Sequence, residues 1–309
     1  MDKIKYYLHL FNNYALIIIL IIIVLLFFIN KYVKDNEGFE LMNDTCNIVT
    51  NDNFNKKILF ISGDYNNYSS IYDKFYSFYF DDIYFNNNIY IEQGEILREL
   101  LINDNLHSQT LLIDNILTGH LFGVISNFPS KIITLNSNNY FFNKCKLNYP
   151  MIENYKLNIL NDTIHKKFTC ITNFSNNLFY FDITSLDSYF NNINNILVPK
   201  GFFVFNFINN FNTIYLLNGH INEKSKNHFF LNYNYKCQNN DNDNNVQITE
   251  TITPKLYKNK QRKNIHIINK YSKNDIIDIA KKNYFTLYKI YEKSKYKKGY
   301  GYIIFQKIN

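Results

Sequence analysis

The spacing of apolar residues changes several times along this chain, and the changes divide it. Residues 14–29 are unbroken apolar, within an uncharged window at 6–30. At about 1.5 Å per residue such a window crosses a ~30 Å hydrocarbon core. It therefore predicts one uncleaved transmembrane helix, an N-terminal anchor over 1–30. A cleaved signal would end in small residues, whereas this stretch ends Phe27-Phe28-Ile29-Asn30-Lys31. Lys3 and Lys5 precede it and Lys31 and Lys34 follow, so the positive-inside count leaves orientation open. Residues 31–67 are polar and read as a linker and lead-in, with 56–62 fitting either a short strand or part of that lead-in.

Aromatics at 72, 75, 76, 79 and 80 follow helical spacing and predict a helix over 72–82. A second helix follows over 91–101, with Ile96, Leu97, Leu100 and Leu101 on one side. From residue 110 apolar strands alternate with helices. Strands are expected at 111–113, 132–135, 155–160, 168–172 and 202–205, and helices at 121–128, 139–146 and 186–197. This alternation predicts an α/β fold with a doubly wound parallel sheet. Pro199 ends the last of these helices, Gly201 is free to take a positive φ, and Phe202-Phe203-Val204-Phe205 is apolar on both faces, as a central strand requires. Regularity then fades. A polar loop at 239–245 precedes a strand at 246–253, within an inserted antiparallel portion at about 212–268. Ser272 and Asp275 cap a helix with the stripe Ile276, Ile279 and Ala280, and two strands at 285–291 and 300–306 close a domain over 68–309.

Composition tempers the weight of single residues. The chain has 309 residues with 28 Phe, 27 Tyr, no Trp and only 9 Gly. Asn, Ile, Lys, Tyr and Phe, all encoded by AT-rich codons, dominate, so an isolated Asn or Lys says little. The net charge of +7 is concentrated between Lys255 and Lys298. Such a run fits a nucleic acid or anionic-lipid partner, or a solvated basic face. The scarcity of Arg, the better phosphate reader, favours the solvated face. Cys46, Cys145, Cys170 and Cys237 form no CxxC pair, which argues against a zinc site. Cys145 and Cys170 lie in apolar surroundings and read as buried thiols of a reducing compartment. His120, His165 and His266 show no metal-ligand spacing, and no metal is expected.

The helix end that runs through Pro199-Lys200-Gly201 into an apolar strand resembles the turn before the fifth strand of class I S-adenosylmethionine-dependent methyltransferases. Tyr72-Asp73-Lys74-Phe75-Tyr76, the segment from Glu92 to Leu97, and the Arg-x-x-x-His element at Arg262 and His266 are similar to elements of membrane-anchored methyltransferase-like proteins of large DNA viruses. The resemblance covers roughly residues 68–307. It implies a Rossmann-like methyltransferase sheet with a reversed last strand, preceded by one transmembrane helix, and S-adenosylmethionine as cofactor. It also implies a single-pass membrane protein, associated with a virion, whose soluble domain faces the cytosol.

The family's cofactor loop, Asp-x-Gly-x-Gly-x-Gly, falls on 111–120, Leu-Leu-Ile-Asp-Asn-Ile-Leu-Thr-Gly-His. Aligned on Thr118-Gly119, it places Ile113 at the acidic position and Asn115 and Leu117 at two glycine positions. Aligned on Asp114, it places Ile116, Thr118 and His120 at the glycines. The carboxylate that holds the cofactor ribose would be Asn136, and the acid that meets the adenine would be Asn158. Asp114, Thr118, Gly119, Asn136 and Asn158 are the cofactor-binding candidates implied, with Glu153 and Asp162 as nearby carboxylates. Asn173 and Tyr180 either line an acceptor site or are loop and packing residues, and no catalytic residue is assigned. The expectation is a methyltransferase-fold protein with weak or lost cofactor binding, serving as a scaffold or interaction protein. The alternative is an active methyltransferase with an atypical loop.

Overall fold

The structure is a computed structural model and describes residues 45–49, 57–103, 109–128, 130–209, 231–239, 244–254 and 261–308. The expected membrane anchor lies outside the described residues. Among those described, no helix is long and apolar enough to cross a membrane. The chain forms two compact units, residues 1–62 and 63–309. In the first, β1 (Thr45–Val49) and β2 (Lys57–Ile61) pair antiparallel.

The second unit holds two sheets. β3 (Gly63–Tyr65) precedes a short helix α1 (Tyr68–Ile71), then α2 (Lys74–Tyr84) and α3 (Asn87–Asn103). The alternating region follows with β4 (Thr110–Ile113), α4 (His120–Ile125), β5 (Lys131–Leu135), α5 (Asn139–Asn148) and β6 (Glu153–Tyr155). It continues with β7 (Phe168–Asn173), a 3-10 turn at Asn177–Tyr180, α6 (Ile183–Ile196) and β8 (Leu197–Ile208). Then come β9 (Leu231–Asn239), β10 (Asn245–Pro254), β11 (Arg262–Asn269), α7 (Lys273–Lys282), β12 (Phe285–Tyr291) and β13 (Tyr300–Lys307).

The large sheet has the order β12-β13-β8-β7-β4-β5-β6. Strands β6, β5, β4, β7 and β8 run parallel, and β13 lies antiparallel between β8 and β12. This is the doubly wound arrangement with a reversed last strand. Side-chain alternation builds a core on each face. Along β8, Phe203, Phe205 and Phe207 pack with Leu186, Phe190 and Ile193 of α6 and with Ile276 and Ala280 of α7. Phe202 and Val204 point the other way, toward Ile96, Leu97 and Leu100 of α3 and Leu121 of α4. Helix ends follow local chemistry. Asp182 accepts from Ser185 N at 2.7 Å to start α6, and Ser272 with Asp275 forms a full capping box on α7.

Two expected features differ. The third strand is Glu153–Tyr155 rather than 155–160. Asn158 ends it by folding the chain back: its Oδ1 accepts from Leu160 N, and its own N–H donates to Asp162 Oδ2 at 2.7 Å. In the turn before the fifth strand, the positive φ falls on Lys200, at 60°, and not on Gly201. Glycine serves there by its size, since a Cβ would lie 2.9 Å from Val198 O and 3.1 Å from Thr169 O. The second sheet, β3-β11-β10-β9, contains the inserted strands and takes its parallel edge strand from Gly63–Tyr65, far upstream.

Candidate functional site

In a doubly wound sheet, ligands bind beyond the carboxyl ends of the strands, where the winding reverses. Here the chain winds outward from β4 through β5 to β6 and returns at β7 on the other side of β4. The loops after β4, β5 and β7 therefore converge at one crevice.

The loop after β4 is built on left-handed residues spaced two apart: Asn115 (φ 51°), Leu117 (φ 57°) and Gly119 (φ 93°). These are the three glycine positions of the alignment on Thr118-Gly119, so the backbone takes that form without two of the glycines. Gly119 cannot be replaced easily, because a Cβ would come within 2.7 Å of Tyr149 and 3.0 Å of Cys145 Sγ. Leu117 is held by Asn136 at the end of β5. Asn136 Oδ1 accepts from Leu117 N at 3.0 Å, and its Nδ2 donates to Leu117 O at 3.1 Å. Asn136 is fully buried, and both ends of its amide are taken up by this clamp.

The other candidates are dispersed. Asp114 is buried, and its Oδ2 accepts from Asn173 Nδ2 of β7 at 2.9 Å and from Tyr189 OH of α6 at 2.6 Å. Burial outweighs these hydrogen bonds and raises its carboxyl to about 6. Thr118 is buried and donates to Asp81 Oδ1 of α2 at 2.5 Å, the same oxygen that lies 3.1 Å from His120 Nε2. Asn115 donates to Ser175 Oγ at 2.9 Å and toward Tyr68 OH at 3.4 Å. Asn158 stands apart, in the turn that ends β6. Glu153 pairs with Lys131 at 3.1 Å at the surface. Asn136 and Thr118 are thus joined through the loop, whereas Asp114 and Asn158 face elsewhere.

Sequence reading did not find the polar cluster that closes the crevice. Tyr68 and Tyr72 stack with centroids 4.3 Å apart, and Tyr180 meets Tyr68 edge-on at 5.6 Å. Burial pushes the Tyr68 hydroxyl up to about 12 and holds those of Tyr72 and Tyr180 well above the ordinary phenol range. Tyr180 OH shares a 2.5 Å hydrogen bond with His266 Nδ1, and His266 Nε2 lies 3.0 Å from Glu250 Oε2. Buried Glu250 also accepts from Tyr76 OH at 2.9 Å and Asn264 Nδ2 at 3.1 Å. Arg262, with no exposed surface, donates to Asp73 Oδ2 at 2.7 Å and to Ile71 O at 3.0 Å, between the rings of Tyr65 and Phe75. The sequence signalled its parts separately: the segment Tyr72–Tyr76, Tyr180 as an acceptor-site candidate, and the pair Arg262 and His266 on one face of β11. Their partners lie on α1, α2, β10 and the 3-10 turn, at sequence distances no local pattern records. Among the described residues, no group of His, Cys, Asp and Glu is arranged to hold a metal.

No protein-family model and no curated protein matches the sequence. Solved structures do resemble the fold. A S-adenosylmethionine-dependent methyltransferase from Clostridium acetobutylicum superposes with a TM-score of 0.60 at 17% identity, over 77% of this chain and 99% of its own. The CcbJ methyltransferase from Streptomyces caelestis gives 0.59 at 11% identity, over 76% and 96%. The amino pentose methyltransferase CalS10 from Micromonospora echinaspora, solved with S-adenosylmethionine bound, gives 0.55 at 8% identity, over 78% and 100%. At such identities the likeness speaks for architecture, and the architecture is that of the class I S-adenosylmethionine-dependent methyltransferases.

Proposed function

We propose that this methyltransferase-fold protein has lost most or all affinity for S-adenosylmethionine and acts as a membrane-tethered scaffold or interaction protein. The observation that carries the reading is Asn136. At the position where the resemblance calls for a ribose-binding carboxylate, it is neutral, fully buried and bonded at both ends to Leu117. The residues present do not fit the cofactor. Ile113 stands at the acidic position of the loop, and Leu117 puts a branched side chain where glycine leaves room. Each charge-assisted hydrogen bond lost costs about 1.5–3 kcal/mol, and every 1.4 kcal/mol is about tenfold in affinity. Two ribose bonds alone then account for roughly a hundredfold or more. The tether rests on the apolar stretch at 14–29, which with its uncharged flanks is long enough to span a membrane.

One observation favours the second reading, an active enzyme with an atypical loop: Asn115, Leu117 and Gly119 keep the left-handed trace that a cofactor loop needs. That reading needs a substitute carboxylate at the loop, and Asp114, the nearest, is engaged with Asn173 and Tyr189 instead. Calorimetric titration of the full chain in non-ionic detergent with S-adenosylmethionine decides between them. No saturable heat at micromolar cofactor is expected, and micromolar binding would overturn the proposal.

A further inference from the structure

The chain's surplus positive charge is gathered at one edge of the large sheet. Residues 281–309, from the end of α7 through β13, hold eight lysines and a single acid, Glu292. Of the chain's 33 basic and 26 acidic residues, eight and one lie here, which leaves the other 280 residues neutral. The whole formal charge of +7 therefore belongs to these 29 residues, an asymmetry that points to an anionic surface. Some of these lysines are matched within the fold. Lys282 meets Asp187 at 2.6 Å, Lys289 meets Glu99 at 2.6 Å and Lys295 meets Glu95 at 3.5 Å. Lys307 donates to the carbonyls of Asn194 and Leu197. Lys293, Lys297 and Lys298, in the loop between β12 and β13, pair with no carboxylate among the described residues. Glu292, at the head of that loop, is taken by Lys273 at 2.7 Å. The loop is also held in shape: buried Glu92 of α3 accepts from Lys295 N at 2.7 Å, and Ser294 Oγ accepts from Lys297 N at 3.0 Å.

Apolar side chains are interleaved with this charge. β12 is the last strand of its sheet, so its outer edge has no strand beside it among the described residues. Tyr284, Leu287 and Tyr288 are exposed along it, as are Ile308, whose N–H donates to Tyr284 O at 2.9 Å, and Tyr296 in the loop. The combination selects an occupant. A second copy of the chain would bring the same lysines against these, and the bulge between Leu287 and Lys289 breaks the regular edge that strand pairing needs. A nucleic acid would leave Leu287 and Ile308 without a role, and these 29 residues contain no Arg to read phosphates. An anionic bilayer engages every part: lysines meet the headgroups, tyrosines sit at the interface, and the aliphatic side chains enter the acyl boundary.

We propose that the β12 edge and the β12–β13 loop dock the folded domain onto a bilayer surface of anionic lipid. This docking is separate from the tether at 14–29. The chain has no Trp, so Tyr296→Trp places a single reporter in the loop. The full chain bearing it is reconstituted from non-ionic detergent into vesicles of phosphatidylcholine, or of phosphatidylcholine and phosphatidylserine in equal parts. Emission should shift to the blue, and bromine-labelled acyl chains should quench it, only where phosphatidylserine is present. Met151→Trp, at an exposed position just before β6 on the opposite edge of the sheet, should change with neither vesicle. The tether would hold the chain on both vesicles alike, so it cannot produce the difference. A chain that floats only with the phosphatidylserine vesicles would lack the tether and keep the docking. Each lysine near such a surface is worth about fivefold, so replacing Lys293, Lys297 and Lys298 together by Gln should lower the ratio of docked to undocked domain roughly a hundredfold. Circular dichroism establishes that this variant is folded. Equal emission with both vesicles, a shift that the folded triple variant keeps, or a shift with single-stranded RNA and none with phosphatidylserine overturns the proposal.

Discussion

Asp114 shows how the direction of one side chain decides what a carboxylate can do. It stands next to the loop's acidic position, yet the strand pleat turns it to the face where Asn173 and Tyr189 donate to it. Its folded pKa of about 6 lies above the unfolded value, so the folded state holds the proton more tightly. The contribution to stability is therefore fully present below about pH 4 and is lost as pH rises to about 6, by roughly 3 kcal/mol. Asp114→Asn keeps an oxygen for both donors and cannot ionise. Urea unfolding should find this variant more stable than wild type at pH 7 and equal to it near pH 4. Equal stability at both pH values would show that Asp114 is not desolvated. Asn136 makes the opposite case. Asn136→Ala strips the partners from Leu117 N–H and C=O in this partly buried loop and should cost about 2–4 kcal/mol in the same measurement. A loss below about 1 kcal/mol would mean that water replaces the clamp.

Among the elements, the join between α1, α2 and the second sheet depends on Arg262. This guanidinium serves Asp73, which is also the N-cap of α2, together with the carbonyl of Ile71 and the amide oxygen of Asn264. Removing one member of a buried ion pair leaves the other uncompensated and costs about 3–5 kcal/mol. Asp73 is partly exposed, so Arg262→Met should fall near the low end, about 3 kcal/mol. Lys cannot reproduce the planar fork, so Arg262→Lys should recover little of it. Hydrogen exchange should quicken in residues 68–84 and stay slow in β4, β7 and β8. Uniform loss of protection would show instead that the two sheets unfold as one body. Sequence made the large sheet legible because both of its faces are apolar and its helices carry clear stripes and caps. Of the second sheet it made legible the antiparallel insertion and its strand at 246–253 but not the edge: β3 is three residues long and pairs with a strand some two hundred residues later. The overlong third strand has a local cause, since apolar Leu157, Ile159 and Leu160 mask the turn that Asn158 makes. The positive φ at Lys200 likewise has no composition signal, whereas the neighbouring Gly201 attracts the assignment.

Across the whole molecule, the proposed loss of cofactor binding divides into a backbone part and a side-chain part, and the two can be separated by experiment. The Asn115, Leu117 and Gly119 backbone already has the φ values that glycines would take. Replacing Asn115 and Leu117 by Gly should then leave the trace in place and clear the space above it. A bulky residue in the left-handed region costs about 1–2 kcal/mol, and the extra freedom of Gly in the unfolded chain about 0.5–1 kcal/mol, so the two terms nearly offset at Leu117. Asn115→Gly forfeits the bonds to Ser175 and Tyr68. Asn136→Asp keeps the acceptor for Leu117 N but loses the donor to Leu117 O. The triple variant should therefore be less stable by about 2 kcal/mol, a fall of roughly 4–8 °C for a domain of this size. It should also regain S-adenosylmethionine affinity by at least tenfold, because one carboxylate returned to the ribose position supplies about 1.5–3 kcal/mol. Calorimetry reads the affinity, and circular dichroism establishes that the variant is folded. A folded triple variant that binds no better than wild type would mean that the loss lies in Ile113 or Asn158, outside the clamp, and that Asn136 records the change without causing it.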